Sequence, residues 1–454
     1  MQPSGLGLPA SLPLLLSAAF AVLAVIFWMT LRWMRIQSRR LGASSNPQLA
    51  AAVSEPRVFR GHRGEISGIA FSSDGSEAVT GAHSHQWLDA DAIVWRIPDG
   101  RVAQRLHGHE VAIYSVAYSP DSRLIATGGG GVVKGKGWIY DHAIRLWDRE
   151  GRQVGKFGDD LFFVRALAFS PNGRFLLSGS VNSAPIARPS DGSSLRLWSL
   201  ETRTEVRRFG IYDKGINSVA YSPDGRFVVS GSHSGDATGA PGTTKVSTRI
   251  YRRGETAPPG VEAWSGEQVV ARLVAEGNQA LVAGLRSLLS SMSPEDRISY
   301  SVEVGRHSGH STIRQWDLAS GDEMTAFDCT SWINDICYSP DGTRLFSFGF
   351  DGVSCWDAES GLWLSALEHA DVKLANCGAL SRDGQLLAVG TGGRNELGAP
   401  FENCFARVFR TSDHSVVRTF ALKRPVQTLS FSPDGARLMT GGQFGEVDLW
   451  SVFG

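Results

Sequence analysis

Short apolar segments recur along most of the chain, and each set surrounds a polar tetrapeptide. The tetrapeptides include SSDG at residues 72–75 and SPDG at residues 222–225 and 432–435, and related copies begin at residues 119, 170, 339 and 381. The seven copies lie 42 to 52 residues apart, except for one interval of 117 residues. Because Pro presets φ and Gly accepts a positive φ, each tetrapeptide predicts a tight turn between two strands.

The residues around each turn predict four short strands per repeat. An apolar strand precedes the turn, as at residues 216–222, and another follows it, as at residues 226–232. A third strand ends in Trp in every copy but the sixth, which has Phe409, and a fourth strand leads to the next copy. Four strands in a period of about 45 residues indicate the blades of an all-β propeller.

These repeats resemble the WD40 family. The resemblance covers residues 55–454 apart from one insertion, and it implies a seven-bladed β-propeller. It rests on the SPDG turns and on Trp-Asp and Gly-His pairs at residues 147–148, 316–317, 356–357, 61–62 and 108–109.

The resemblance also assigns a structural role to two sets of polar residues. In WD40 blades, a Gly-His histidine, a hydroxyl of the second strand and the Trp of the third strand share a buried hydrogen-bond network. The matching residues here are His62, Thr80 and Trp95 in the first repeat, and His109, Thr127 and Trp147 in the second.

The two ends of the repeat region predict how the ring closes. The last repeat ends on its third strand at residues 446–452, and residues 56–62 precede the first inner strand without a partner of their own. Pairing these segments supplies the missing outer strand and removes an open sheet edge. We therefore expect the propeller to span residues 56–454.

Antiparallel strands place the connections of each blade at two opposite ends of the ring. We call the end with the tetrapeptides the turn face, and the end with the second-to-third-strand connections and the Gly-His pairs the loop face. These connections are tight in repeats five and seven and longer in the other five. Long loops on one face of a rigid scaffold predict a binding surface.

The longest connection is an insertion in blade four, at residues 233–310. Alternating segments predict strands near its two ends, at residues 245–251 and 298–304. Between them, Ser265 and Gln268 form a capping box ahead of a helix that Gly277 ends, and a second helix follows. The pattern predicts a small α/β unit, strand–helix–helix–strand, whose apolar side packs either on its own strands or on a partner.

A long apolar run precedes the repeats. Residues 1–31 contain no Asp, Glu, Lys or Arg, and residues 12–31 are 20 largely apolar positions. A helix of that length spans about 30 Å, which matches the hydrocarbon core of a bilayer. We predict an N-terminal tail at residues 1–11, one transmembrane helix at residues 12–31, and a basic flank and linker at residues 32–55.

Four arginines follow the apolar run, at positions 32, 35, 39 and 40. By the positive-inside rule, this flank stays in the cytoplasm, which predicts a single-pass membrane protein with a cytoplasmic propeller. The linker joins the closing strand on the turn face, so we expect that face toward the membrane. The alternatives are the reverse orientation and a cleaved signal peptide, although a signal peptide has a basic segment before its apolar run.

Charge and cysteine content narrow the possible functions. Lys plus Arg number 45, as do Asp plus Glu, so the formal net charge is zero and no global field favours nucleic acid. Five cysteines without CxxC spacing predict small buried residues in a reducing compartment. No cofactor is expected, and no small-molecule substrate is evident.

Two weaker patterns indicate ligand chemistry. Residues 128–137 resemble a phosphate-binding loop, but Gly137 stands where Ser or Thr should bind magnesium, so a flexible glycine loop is the simpler interpretation. A weak metal-site candidate consists of four ligand-type residues in one connection: His83, His85, Asp89 and Asp91. Solvated polar residues are its alternative interpretation.

The resemblance and the long loops predict a non-catalytic scaffold that binds proteins or peptides at the loop face and is tethered to the membrane by residues 12–31. Interfaces favour aromatic residues and Arg, so the candidate anchors are Trp87, Trp138, Tyr140, Phe163, Trp332, Phe401 and Arg424. Any of them can instead cover the core. The alternative function is an enzyme, or a ligand or metal sensor, that uses the central channel mouth or the His83–Asp91 connection.

Overall fold

In the computed structural model, the described residues of the unit Ser54–Gly454 form seven four-stranded antiparallel sheets. The structure describes residues 55–453 except for 84–90, 135–136, 159–162, 182–192, 213–214, 233–243, 252–263, 276–296, 305–311, 328, 330–331, 368, 370–371, 373 and 394–402. The predicted tail, transmembrane helix and almost all of the linker lie outside these residues. No helix in the described part is long and apolar enough to cross a bilayer.

The strands are numbered in chain order, and each blade is given from its inner to its outer strand. Strand β1 (Arg57–Arg60) belongs to the last blade. Blade one comprises β2 (Glu65–Phe71), β3 (Glu77–His83), β4 (Ala92–Arg96) and β5 (Arg101–Leu106). Blade two comprises β6 (Ile113–Tyr118), β7 (Leu124–Gly129), β10 (Ile144–Asp148) and β11 (Gln153–Phe157), with a hairpin of β8 (Gly131–Lys134) and β9 (Gly137–Tyr140) between β7 and β10. Blade three comprises β12 (Phe163–Phe169), β13 (Phe175–Val181), β14 (Ser193–Ser199) and β15 (Glu205–Tyr212).

The remaining blades follow the same order. Blade four comprises β16 (Ile216–Tyr221), β17 (Phe227–Ser232), β20 (Ile313–Asp317) and β21 (Glu323–Phe327). Its insertion holds β18 (Thr244–Tyr251), α1 (Gly266–Ala275) and β19 (Arg297–Val304). Blade five comprises β22 (Ile333–Tyr338), β23 (Arg344–Gly349), β24 (Gly352–Asp357) and β25 (Trp363–Ala366). Blade six comprises β26 (Ala375–Leu380), β27 (Leu386–Thr391), β28 (Phe405–Arg410) and β29 (Val416–Ala421). Blade seven comprises β30 (Val426–Phe431), β31 (Arg437–Gly442), a 3₁₀ turn (Gln443–Gly445), β32 (Glu446–Ser451) and β1.

The ring closes through β1, which pairs antiparallel with β32 as the outer strand of blade seven. Arg57 lies opposite Leu449, and Arg60 lies opposite Glu446. The two ends of the repeat region thus share one sheet, and the outer edge of the last blade is covered. The prediction of an all-β, seven-bladed propeller is confirmed.

Among the described residues, seven apolar core clusters each lie between two neighbouring blades. At five of these boundaries, an outer-strand Phe packs on the third-strand Trp of the next blade, which buries two large rings in stacked, tilted or edge-to-face contact. The ring centroids are 4.8–6.0 Å apart in the pairs Phe59–Trp95, Phe157–Trp198, Phe209–Trp316, Phe327–Trp356 and Phe420–Trp450. The first pair joins blade seven to blade one and completes the ring.

The tetrapeptide turns also contact one another around the turn face. The Pro of one turn faces the Gly of the next: a Cβ built on Gly75 would lie 3.2 Å from Pro433. Between blades one and two, both residues are replaced, because Ser73 stands for Pro and Ser122 stands for Gly. Ser73 N donates to Ser122 Oγ at 2.7 Å, and Ser122 adopts a φ of 57°. One hydrogen-bonded pair therefore substitutes for one Pro–Gly contact.

Within the insertion, β18 and β19 pair antiparallel along their whole length. Ser265 N donates to Gln268 Oε1 at 3.0 Å, and Gln268 N donates to Ser265 Oγ at 3.3 Å, which is the reciprocal geometry of a capping box. Helix α1 follows directly. The predicted second helix lies outside the described residues.

The glycine-rich segment of blade two differs from its simpler interpretation. It is not an irregular loop, because β8 and β9 pair through Val132 with Ile139 and Val133 with Trp138. A β-hairpin has no helix N-terminus at which backbone amides could collect around a phosphate. The likeness to a phosphate-binding loop is therefore confined to the spacing of its glycines.

Candidate functional site

Every inner strand has a register irregularity near its start. In blade one, Ile66 pairs with Ala82 and Gly68 pairs with Gly81, so Ser67 is left out of the ladder. A bulge of this kind re-aims one side chain. The corresponding bulges of all seven blades line the mouth of the central channel on the loop face, and we call these residues the inner ring: Ser67, Tyr114, Arg165, Asn217, Asn334, Asn376 and Gln427.

The inner ring and the connections around it enclose a cavity of about 480 Å³. His83, Trp332, Phe350 and Gln443 also line it. The cavity is within the size range of about 300–1,000 Å³ that is usual for ligand pockets. It lies on the face where the sequence predicts a binding surface.

The side of the cavity formed by blades four to six is neutral and anchored. The Nδ2 atoms of Asn217, Asn334 and Asn376 donate to backbone carbonyls at 2.8–3.0 Å. The first two of these carbonyls belong to the next blade, at Ile333 and Ala375. Asn217 and Asn334 therefore join neighbouring blades, whereas Asn376 bonds within its own blade at Gly392. Each asparagine keeps an amide oxygen as a further acceptor.

The side formed by blades one to three is aromatic and charged. Tyr114 stacks with His83 at 4.8 Å and with Phe163 at 5.5 Å between ring centroids. Arg165 Cζ lies 5.0 Å from the Tyr114 ring centroid. Burial lowers the pKa of the Arg165 guanidinium, whereas Tyr114 and Glu65 raise it. Although the blades surround Arg165, its side chain stays exposed to the channel.

Exposed aromatic rings stand at the rim of this cavity. Trp332 is 41% exposed and Phe350 is 51% exposed, and their ring centroids lie 5.2 Å apart. Phe444, in the second-to-third-strand connection of blade seven, is 71% exposed and has a φ of 69°. A bulky residue at positive φ is strained, and such strain concentrates at functional sites.

The predicted anchors fall into different environments. Trp332 is exposed at the rim, whereas Phe163 is only 7% exposed because it stacks on Tyr114. Phe163 therefore covers the core and is not a surface anchor. Arg424 is half-buried, donates to the Gln443 carbonyl at 2.7 Å and pairs with Glu446, so its charge is already engaged. Trp138 and Tyr140 lie in β9, with their side chains outside the described part, and Trp87 and Phe401 lie wholly outside it.

Blade two contains a buried polar network centred on His109. Thr127 Oγ1 lies 2.7 Å from His109 Nε2 and accepts a hydrogen bond from Trp147 Nε1 at 2.9 Å. On the other edge of the imidazole, Nδ1 lies 2.8 Å from Asp141 Oδ2. Arg145 Nη1 donates to both Asp141 oxygens, at 2.7 and 2.8 Å. Sequence reasoning missed Asp141 and Arg145, because neither belongs to the Gly-His or Trp-Asp pairs.

Burial and pairing act in opposite directions on this network. Burial alone would raise the pKa of Asp141, but hydrogen bonds from His109 and Arg145 outweigh it and hold that pKa well below its usual value. Burial also lowers the pKa of His109, which keeps the imidazole neutral at pH 7. Both nitrogens of this neutral ring have hydrogen-bond partners, and the network connects the Gly-His segment to Trp147 on the third strand. The role of His109 is therefore structural.

Blade one repeats the core of this network. His62 Nε2 lies 2.8 Å from Thr80 Oγ1, and Trp95 Nε1 donates to the same oxygen at 2.7 Å. A Cβ built on Gly61 would lie 2.8 Å from the Trp95 ring, which explains why glycine precedes the histidine. Three blades without a Gly-His pair keep the Trp–hydroxyl bond, at 2.8–3.0 Å: Trp198–Ser178, Trp356–Ser347 and Trp450–Thr440.

The weak metal-site candidate is only partly described. His83 Nε2 lies 3.7 Å from Glu65 Oε2, and Asp91 Oδ1 lies 2.7 Å from His107 Nδ1. The candidate ligands His83 and Asp91 therefore contact different residues. His85 and Asp89 lie outside the described residues. Within the described part of the chain, no group of three or more His, Cys, Asp or Glu side chains could hold a metal ion. All five cysteines are free thiols.

Comparison with known proteins adds a family to this geometry. A model described as WD domain, G-beta repeat, matches residues 54–95, 100–148, 151–199, 203–238 and 321–357. Each matched segment begins on the outer strand of one blade and continues into the next blade, so that together they reach from β1 to β24 of a closed seven-bladed ring. The chain belongs to the WD40-repeat β-propeller family. The sheet topology identifies the remaining two blades of this WD40 propeller, blades six and seven.

Similar proteins differ widely in their names. The chain is 24% identical over 325 residues to nuclear distribution protein PAC1 of Arthroderma otae, covering 70% of this chain and 65% of that protein. It is 29% identical over 180 residues to eukaryotic translation initiation factor 3 subunit I of Phaeosphaeria nodorum, covering 36% and 48%. It is 28% identical over 180 residues to protein FIZZY-RELATED 3 of Arabidopsis thaliana, covering 39% and 32%. The chain thus spans about a third to two thirds of the length of these curated relatives.

Proposed function

We propose that this WD40 propeller is a non-catalytic scaffold that binds proteins or peptides at its loop face. The observation that carries the proposal is the exposed pair Trp332 and Phe350, which opens onto a cavity of about 480 Å³. Exposed aromatic rings beside a pocket that they help to line are typical anchors of protein interfaces. The name of one relative, a subunit of an initiation factor, agrees with work inside an assembly.

A comparison of two variants tests this proposal. The double substitution Trp332→Ala and Phe350→Ala removes the anchors, whereas Trp363→Ala removes a 38% exposed Trp from the outer strand of the same blade. Each chain carries an affinity tag and is purified from cells, and its co-purifying proteins are quantified by mass spectrometry. We expect the double variant to lose partners that the Trp363→Ala variant retains. Equal partner sets for all chains would show that the loop face is not the binding surface.

We further propose that residues 12–31 anchor the propeller to the cytoplasmic side of a membrane. The charge-free apolar run and the arginines that follow it support this proposal. Strand β1 begins on the turn face, so the chain enters the propeller on the face opposite the cavity. Alkaline extraction of membranes should leave the 454-residue chain in the pellet and release a chain that lacks residues 1–31. Release of both chains would contradict the anchor. In intact vesicles whose cytoplasmic face is outside, added protease should digest the propeller. Protection of the propeller in these vesicles would contradict the orientation.

A further inference from the structure

We propose that Arg165 of the inner ring binds a carboxylate of the protein segment held at the loop face. This inference rests on the proposed function and names the chemistry of the partner. The carboxylate belongs either to an Asp or Glu side chain or to a C-terminus, because both present the same two oxygens to a guanidinium fork.

Arg165 is the only permanently charged residue among the described residues that line the cavity. Its guanidinium donates no hydrogen bond to any residue in the described part of the chain, although it has five N–H donors. Its position is nevertheless defined, because its Cζ lies 5.0 Å from the Tyr114 ring centroid and Tyr114 stacks between His83 and Phe163. A positioned cation with unused donors is suited to bind an anion.

The surroundings of Arg165 favour an anion of limited charge. The acid that acts on Arg165 electrostatically is Glu65, which also lies 3.7 Å from His83. The remaining inner-ring residues are neutral, so they neither repel a carboxylate nor add further positive charge. A polyanion would need several cations, whereas one guanidinium matches one carboxylate.

The same cavity explains why a protein segment is favoured over a free carboxylate. Trp332 and Phe350 line the cavity together with Arg165, so apolar residues beside the carboxylate have rings to contact. The Asn217, Asn334 and Asn376 amide oxygens offer acceptors to backbone N–H groups of an extended segment. A peptide supplies a carboxylate, apolar side chains and backbone N–H groups in one molecule.

Three peptide sets test the inference on the 454-residue chain, purified in a mild non-ionic detergent. All are acetylated octapeptides with randomised flanks. The first set has a central Glu and an amidated C-terminus, the second has a central Gln and a free C-terminus, and the third has a central Gln and an amidated C-terminus. We expect the first or second set to bind at least about tenfold better than the third, and binding to weaken as salt rises. Which set is preferred identifies the source of the carboxylate.

Variants link the preference to Arg165. Arg165→Gln should erase it, and Arg165→Lys should retain part of it, because Lys keeps the charge but lacks the planar fork. Arg382→Gln is the matched control, since Arg382 lines the opposite mouth of the channel on the turn face. If Arg165→Gln does not fold, as judged by thermal melting, the test is whether Arg165→Lys has a smaller preference for the carboxylate peptides than the wild-type chain.

The outcomes separate this inference from the proposed function. Equal binding of the three sets, with binding lost in the Trp332→Ala and Phe350→Ala chain, would overturn the carboxylate site and leave the loop-face scaffold standing. A carboxylate preference that survives in both Arg165 variants would also overturn it. Failure of every set to bind the wild-type chain would count against both.

Discussion

Replacing Thr127 with valine tests the buried network of blade two with little change of shape. The substitution removes the oxygen that accepts from Trp147 Nε1 and contacts His109 Nε2. The side chain of His109 is 0% exposed and Trp147 is 1% exposed, so water cannot replace the lost partner. Each orphaned buried polar group costs about 1–3 kcal/mol, and the added methyl group returns about 1 kcal/mol. We therefore expect the free energy of unfolding to fall by about 1–5 kcal/mol.

Urea unfolding followed by tryptophan fluorescence measures this change. Thr202→Val is the control, because Thr202 is exposed in the turn after β14, where a surface substitution changes stability by less than about 0.5 kcal/mol. Thr80→Val in blade one should resemble Thr127→Val, since Thr80 makes the same two contacts. If Thr127→Val unfolded at the same urea concentration as Thr202→Val, the network would contribute no net stability and our reasoning would be refuted.

Three further predictions concern acid, ring closure and the turn face. Stability should fall as the pH drops below about 6.5, because unfolded His109 takes up a proton that the native imidazole resists, and again below about 4 at Asp141, whose pKa is also lowered in the native state; urea unfolding between about pH 8 and about pH 2 measures both steps. Phe59→Ala in the closing strand should cost about 3–5 kcal/mol, read by thermal melting, because Phe59 is 2% exposed against Trp95. The double variant Ser73→Pro and Ser122→Gly should have a free energy of unfolding about 1 kcal/mol higher than the two single changes predict when they are added, because only the double variant restores a Pro–Gly contact.

Each of these predictions has a contradicting result. Asp141→Asn should lose the lower acid step, and an unchanged step would assign it to another carboxylate. Phe453→Ala is the control for Phe59→Ala, because Phe453 is 57% exposed near the same end of the chain. Equal melting of these two variants would mean that β1 does not hold the ring closed. Strict additivity of the Ser73 and Ser122 substitutions would mean that the two side chains act independently.

The blades could be predicted from the sequence because their determinants are local. Each turn is held by its own serine: Ser119 Oγ donates to Asp121 at 2.7 Å and accepts from Leu124 N at 2.9 Å. The apolar strands around such a turn need no distant information. The third-strand Trp marks the boundary with the preceding blade, where an outer-strand Phe meets it, as Phe157 meets Trp198.

The inner ring could not be predicted, because a bulge does not change the composition of its strand. In β12, the sequence FVRALAF places Arg165 between two apolar residues, and only the register shift between Val164 and Ala166 shows that it leaves the ladder. Asp141 was missed for a related reason. It lies 32 residues after His109, beyond the hairpin of β8 and β9, so no short motif joins the two residues.

The closure of blade seven has a consequence for how the protein is made. Arg60 donates to Glu446 across the closing pair, and the two are separated by 386 residues. At a synthesis rate of about 5–20 residues per second, β1 leaves the ribosome roughly 20–80 seconds before its partner strand exists. During that interval, the nascent chain exposes an unpaired strand with a large apolar ring, which is a natural target for chaperones. The first strand of the propeller is thus among the last to pair.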